Sequence, residues 1–118
     1  MPTQDNSEKA NLLQGTLDLL ILRMLVLGPQ HGQGIARSIQ RESGDVFLVD
    51  HGSLYLALQR LEERGWIDAK WGVSENNRRA RFYKLTAKGR GRLTAKTAEW
   101  KRIAGAMGRI LNLGESEV

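Results

Sequence analysis

Apolar residues in the first third of the chain fall into one long run and one short run, and these predict two helices. Leucine, isoleucine, methionine and valine occupy nearly every face between Leu12 and Leu27, and Gly28-Pro29 ends the run. A helix this apolar must be buried on more than one side, which in a small protein points to a second chain. A second, shorter helix is predicted from Gly32 to about Arg41, before the break at Ser43-Gly44-Asp45.

A third helix is predicted from about Ser53 to Arg64, with Asp50 or Ser53 as its N-cap. Its apolar positions recur at i, i+4 and i+7, as Leu54, Leu58 and Leu61. These three lie within ~40° of one another on a helical wheel and form the predicted core stripe.

Two β-rich segments and a long helix follow. The segments Trp66 to Val73 and Arg79 to Leu85 flank the turn cluster Ser74–Asn77, which predicts a β-hairpin. Thr86 is the predicted N-cap of a last helix that runs to about Asn112. Three helices followed by a hairpin are typical of a winged helix-turn-helix. We therefore expect a mainly α fold with a small β-hairpin and a long C-terminal dimerisation helix.

This order divides the chain into three predicted parts. Residues 1–10 are polar and form a flexible N-terminal arm. Residues 11–86 form the winged helix-turn-helix, and residues 87–118 form the dimerisation helix with a short tail. The 118-residue length suits a single core of this kind.

Positive charge is concentrated in one part of the chain. Residues 1–69 hold 6 Lys/Arg and 9 Asp/Glu, residues 70–102 hold 11 and 2, and residues 103–118 hold 1 and 2. A strongly basic stretch that includes the hairpin favours a polyanionic partner such as double-stranded DNA.

Composition removes several other functions. The chain has no cysteine and 2 histidines, so we expect no metal site and no cofactor, and a reducing cytoplasm is the natural compartment. His31 and His51 are expected to be ordinary surface groups. No nucleophile–base pair is suggested, which argues against an enzyme, and the apolar run is too short and too interrupted to cross a membrane.

The third helix and the hairpin carry the candidate DNA contacts. On the third helix Tyr55, Leu56, Gln59 and Arg60 point away from the core stripe, so Gln59 is a candidate reader of adenine and Arg60 of guanine. On the hairpin, a narrow basic tip suits phosphate or minor-groove contact. The predicted DNA-binding residues are Ser53, Tyr55, Gln59, Arg60, Asn77, Arg78, Arg79 and Arg81.

The last helix has an apolar seam with heptad spacing, which predicts a coiled-coil-like contact with a second copy. Together with the first helix it gives a predicted dimer interface of Leu17, Leu20, Leu93, Trp100, Ile103, Met107 and Ile110. A dimeric protein-interaction module would show the same seam, and the basic hairpin is the feature that favours DNA over that alternative.

Three segments of the chain resemble the PadR family of transcriptional regulators. Gly52-Ser53-Leu54-Tyr55-x-x-Leu58-x-x-Leu61-Glu62-x-x-Gly65-x-Ile67 resembles its recognition helix, and Asn77 to Gly89 resembles its wing and last strand. Gly15-Thr16-Leu17 fits the family opening. The family usually has proline where this chain has Leu56, which leaves the helix intact but changes the groove-facing edge.

The resemblance implies a cytoplasmic, homodimeric repressor of the short form, which binds a pseudo-palindromic operator. In relatives of this type a tryptophan of the last helix stacks on flat aromatic compounds at the dimer interface, and Trp100 resembles it by position. Release by a small aromatic effector is one expectation, and packing of Trp100 as dimer core without any ligand is the other.

Overall fold

The computed structural model describes residues 16–114, and their architecture is mainly α-helical with one small sheet. The first helix, α1, covers residues 16–24 of this range and passes into a 3-10 turn. The remaining elements follow in chain order: the turn Leu25–Leu27, β1 (Gln30–His31), α2 (Gly32–Glu42), α3 (His51–Glu63), β2 (Ile67–Val73), β3 (Arg79–Leu85) and α4 (Ala87–Ile110).

The predicted fold class is confirmed. From α2 onward the helix and strand ends lie within about two residues of the predicted ones, whereas α1 ends at residue 24 and the predicted last turn, Leu25–Leu27, is 3-10. The predicted arm at residues 1–10 and the start of the first helix lie outside the described residues.

Side-chain caps explain where three of the helices begin. Asp50 accepts a hydrogen bond from the Ser53 backbone N–H at 2.7 Å, so Asp50 is the cap of α3. Thr86 caps α4 as predicted, because its Oγ1 accepts from the Gly89 N–H at 2.9 Å. His31 caps α2, since its Nδ1 accepts from the Gly34 N–H at 3.1 Å.

One core joins α1, α2 and α3 to the base of the hairpin. The predicted stripe of α3 is its centre, and Tyr83 of β3 is buried as expected. The buried apolar side chains are Leu17, Ile21, Leu22, Leu25, Ile35, Ile39, Leu54, Ala57, Leu58, Leu61, Ile67, Tyr83 and Leu85. At about 1.5–3 kcal/mol per fully buried aliphatic side chain, this core is what holds the recognition elements in place.

Within residues 16–114 the strands form one antiparallel sheet in the order β1-β3-β2. Strands β2 and β3 pair from Ile67↔Leu85 to Val73↔Arg79, as the predicted hairpin requires. The short strand β1 was not predicted, and it pairs Gln30 with Tyr83 and His31 with Phe82. This pairing fixes the start of α2 beside the hairpin.

Only the first part of helix α4 packs against the rest of the domain. Its first turn lies on the start of β2, where Gly89 is buried and an added Cβ would overlap the Trp66 carbonyl oxygen. Leu93 still packs on the core, but the apolar residues beyond it are largely exposed. None of the helices in residues 16–114 is long and apolar enough to cross a membrane.

Candidate nucleic-acid interface

A groove of about 770 Å³ lies between α3 and the inner face of the hairpin. The start of α2 closes one end of it, because β1 holds that helix beside β3. The groove is lined by His31, Gly32, Gln33, Arg37, Tyr55, Gln59, Glu62, Trp71, Ser74, Asn76, Arg78, Arg79, Ala80, Arg81 and Tyr83. Four of these side chains are arginines and one is a glutamate, so the groove is net basic.

Helix α3 contributes Tyr55 and Gln59 from consecutive turns of its exposed face. The Tyr55 ring lies over Gly32, where an added Cβ would come within 2.7 Å of the phenol oxygen. It also stacks on His51, with ring centroids 6.3 Å apart. These contacts fix Tyr55, and Gln59 remains exposed beside it with its amide available.

Ser53 lies at the start of α3 rather than in the groove. Its side chain is exposed and its Oγ donates to Asp50 at 3.2 Å. The same edge of the helix presents Leu56, which is 63% exposed. It stands at the position where the family that the chain resembles usually has proline.

The hairpin contributes arginines that have different partners. Arg81 forms an ion pair with Glu62 of α3 at 3.0 Å. The guanidinium of Arg79 instead lies over the Trp71 ring, 4.7 Å from its centroid. Arg78 is exposed and has no carboxylate partner within residues 16–114. Asn77 occupies a left-handed turn position with φ of 58°, which asparagine tolerates well.

Glu75 of the turn connects the hairpin to α2. Its carboxylate lies 3.5 Å from His31 Nε2 and 3.5 Å from an Arg37 terminal nitrogen. A hydrogen bond from its own backbone and then the contact with His31 lower the pKa of Glu75. His31 is therefore not an ordinary surface group, since it caps α2, contacts the Phe82 ring and meets the hairpin turn.

Arg60 does not lie with the other predicted DNA contacts. Its Nη2 and Nε donate to the two carboxylate oxygens of Asp18 in α1, at 2.7 and 3.2 Å. This hydrogen-bonded carboxylate raises the pKa of Arg60. The prediction that Arg60 stands beside Gln59 on the exposed face is wrong, because α1 crosses that side of α3.

The predicted dimer residues are divided between core and surface. Leu17 is 3% exposed because it packs inside this chain's own core, so its assignment to an interface is corrected. Leu20 and Leu93 are partly buried against that core. Trp100, Ile103, Met107 and Ile110 form an exposed seam on α4, and Met107 is 50% exposed.

Trp100 also lines a cavity of about 490 Å³ between α1, the end of α3 and α4. Trp66 also lines this cavity, and the guanidinium groups of Arg64 and Arg92 lie 5.2 and 5.1 Å from its ring centroid. Arg60, Lys96 and two carboxylates, Asp18 and Glu99, complete its charged lining.

Sequence patterns alone did not point to Arg37, Glu62 or Trp71 as part of the groove. The sequence does contain a signal for Trp71. In the register of the hairpin, Trp71 of β2 and Arg79 of β3 are diagonal neighbours on one face, which places an aromatic ring beside a cation. Among residues 16–114 there is no group of His, Asp or Glu side chains that could hold a metal ion.

Comparison with known proteins agrees with this geometry. A sequence model described as the Transcriptional regulator PadR-like family matches residues 21–95, from α1 through the groove elements into α4. The chain belongs to the PadR-like family.

Two solved structures show how far the likeness of this PadR-like protein extends. A PadR family transcription regulator from Clostridium difficile is 31% identical, with a TM-score of 0.70, over 81% of this chain and 98% of that one. A transcriptional regulator from Clostridium thermocellum is 26% identical, with a TM-score of 0.76, over 85% of this chain and 94% of that one. The likeness therefore covers both the winged helix and much of α4.

An uncharacterized protein of Lysinibacillus sphaericus is 26% identical over 95 residues, which is 80% of this chain and 87% of that protein. The family model ends at residue 95, so the exposed seam of α4 lies beyond the matched segment.

Proposed function

We propose that this PadR-like protein is a homodimeric transcriptional repressor that binds a pseudo-palindromic operator in duplex DNA. The observation that carries the proposal is the basic groove, in which the exposed residues of α3 and the arginines of the hairpin face the same space. A helix edge beside a cationic hairpin fits a major groove and the adjoining backbone. A chromosomal DNA partner implies a cytoplasmic location.

In this proposal α3 reads base edges. The amide of Gln59 suits the N7 and N6 groups of adenine, and Leu56 offers an apolar surface to a thymine methyl group. Tyr55 and Ser53 are positioned for the sugar–phosphate backbone next to the helix start. Arg60 is left out because two of its guanidinium nitrogens donate to Asp18, which holds the side chain against α1.

The hairpin supplies charge rather than sequence information. Arg78 and Arg79 point their free donors toward phosphates, and Asn77 shapes the turn that carries them. Arg81 joins them only when Glu62 releases it.

Helix α4 provides the contact with a second copy of the chain in this proposal. Its seam of Trp100, Ile103, Met107 and Ile110 is the kind of apolar surface that a partner covers. Leu20 of α1 and Leu93 of α4, which are only partly buried, are the other residues proposed for the interface. A two-fold dimer presents two α3 helices, which suits two inverted half-sites.

The test is selection of bound duplexes from a random-sequence library, followed by affinity measurements at several salt concentrations. We expect an inverted repeat and an affinity that falls steeply with salt. Gln59→Ala should weaken the selected duplex by about 1–3 kcal/mol and leave random duplex unchanged. Gln33→Ala is the matched control, since it removes an amide from the start of α2, at the end of the groove and away from α3.

Absence of salt-dependent DNA binding would contradict this function and favour the alternative, a dimeric protein-interaction module. That alternative explains the seam on α4 but gives no reason for arginines in the groove.

An aromatic effector is a separate part of the proposal, supported by the cavity beside Trp100. Because Arg60, Arg64, Arg92 and Lys96 outnumber Asp18 and Glu99 in its lining, an anionic planar compound suits it better than a cationic one. Quenching of tryptophan emission by planar anions should be reduced in Trp100→Phe. Equal quenching in both proteins would leave Trp100 as dimer core and the effector site unlocated, and no quenching in either would favour a ligand-independent DNA-binding protein.

A further inference from the structure

The inner face of the hairpin changes character along its length. Near the domain its side chains, including Ile67 and Leu85, are buried in the core. Farther out the same face carries Trp71 and Val73, which are 57% and 66% exposed. The Trp71 indole is not part of the core, and packing therefore does not explain why so large an apolar side chain lies exposed in a groove lined by arginines.

The register of the hairpin explains why Trp71 meets Arg79. Trp71 pairs directly with Arg81 and Val73 with Arg79, so Trp71 and Arg79 are diagonal neighbours on one face. The Arg79 guanidinium lies 4.7 Å from the ring centroid. Stacking uses the flat face of the guanidinium and leaves its N–H donors free at the edge.

The two inward arginines therefore differ in what they can offer a phosphate. Arg81 donates to the Glu62 carboxylate at 3.0 Å, so an anion must displace that partner. Arg79 has no carboxylate partner within residues 16–114, and its side chain is already held in place by the ring. Arg79 is the cation that meets a phosphate without first losing another bond.

We propose that Trp71 is a DNA-positioning residue, which holds Arg79 for a backbone phosphate and packs its own exposed edge against the adjoining deoxyribose. The inference rests on the proposed function, because it assumes that duplex DNA enters the groove. Between the two inward arginines, it assigns the phosphate contact to Arg79, stacked on Trp71, rather than to Arg79 and Arg81 equally.

The experiment measures the affinity of the full chain for a fluorescent random-sequence duplex at several salt concentrations. Loss of one phosphate contact should reduce the slope of log affinity against log salt by about 0.9. We expect this reduction in both Arg79→Ala and Trp71→Leu, with little further change in the double variant. Trp71→Leu should weaken binding about two- to fivefold at low salt, and Trp71→Phe, which keeps an aromatic ring, should restore most of it.

Lys70→Ala is the matched control. It removes one positive charge from the neighbouring position of the same strand, whose side chain lies on the opposite face of the hairpin. Its salt slope should stay at the parent value. Thermal unfolding of each variant checks that the hairpin remains folded, and little change is expected because Trp71 is more than half exposed.

The outcomes separate the two levels of the proposal. A parent protein without salt-dependent DNA binding overturns the proposed function itself. A parent that binds, with Trp71→Leu unchanged, overturns the role of Trp71 and leaves the function standing. Loss of affinity in Trp71→Leu with an unchanged salt slope also overturns it, because the phosphate contact is then intact.

A second measurement does not depend on removing Trp71. In the double variant Trp66→Phe/Trp100→Phe the remaining tryptophan emission comes from Trp71. Duplex DNA should quench or shift this emission when it binds, to a smaller extent once Arg79→Ala is added. Emission that does not change at saturating DNA contradicts contact with the indole.

Discussion

A single charged pair, Asp18 with Arg60, separates the arginine of α3 from the arginines that line the groove. Two hydrogen bonds join the guanidinium to the carboxylate, and both side chains are about one-third exposed or less. Bidentate, partly buried pairs of this kind contribute more than exposed ones. Arg60 thus joins α1 to α3, and the proposed function gives it no contact with DNA.

Replacing Asp18 by Asn should therefore lower the free energy of unfolding by roughly 1–2 kcal/mol, because Arg60 loses a charged acceptor at a partly buried site. Urea unfolding of the purified protein measures the change. Asp68→Asn is the control, since Asp68 is exposed and has no ion-pair partner in residues 16–114. Equal stability of the two variants would show that the Asp18–Arg60 pair contributes nothing.

Glu62, unlike Asp18, lies in the groove itself, where its carboxylate forms an ion pair with Arg81. Glu62→Gln should tighten binding to duplexes of any sequence and increase the salt slope by about 0.9 as Arg81 becomes free. Glu63→Gln provides a control at the next position, which does not line the groove. Weaker binding by Glu62→Gln would mean that this carboxylate makes a favourable contact with DNA.

For single residues, the sequence predicted which positions of a helix share a face better than it predicted which neighbour covers that face. The wheel of α3 correctly separated Leu54, Leu58 and Leu61 from Tyr55 and Gln59. It misplaced Arg60, because a single helix does not reveal which neighbour crosses its outer side. Leu17 was misplaced for a similar reason, since an all-apolar helix does not show which of its faces the chain itself covers.

Among the elements, the hairpin and the helix starts were readable because their signals are local. Thr86 caps α4 through its own side chain, and β3 is a seven-residue segment that contains the β-favouring Phe82 and Tyr83. Strand β1 was not readable, since two residues are too few to show alternation and their pairing depends on a distant strand. The position of α2 beside the groove, and with it Arg37, was hidden for that reason.

Helix α4 is the element whose exposed face has the clearest consequence for assembly. Met107→Glu places a charge in the apolar seam, and an unpaired charge buried at an interface costs several kcal/mol. We expect sedimentation to show a dimer for the parent protein and a monomer for the variant at micromolar concentration.

Ala98→Glu introduces the same side chain on the exposed opposite side of α4, ~180° from Met107 on the helical wheel. It should remain a dimer. A monomeric parent protein, or two variants that behave alike, would contradict the assignment of the seam.

For the whole molecule, two-fold pairing through α4 predicts how DNA is protected. A dimer should protect two inverted segments whose centres are about one helical turn, ~10 bp, or a multiple of it apart. Chemical footprinting on the selected operator measures this spacing. The Met107→Glu protein should lose the paired pattern, and a single asymmetric segment protected by the parent would count against two-fold binding.

The contact at Gly89 has a mechanical consequence for the whole assembly. Because the first turn of α4 packs closely on the Trp66 backbone at Gly89, this contact resists pivoting of the helix at its base. A rigid rod of 24 residues is roughly 36 Å long, and a tilt of ~5° moves its far end by ~3 Å. In the proposed dimer, a change in the angle between the two α4 helices would therefore be transmitted to the hairpin and α3, as a change in the distance between the two DNA-binding surfaces.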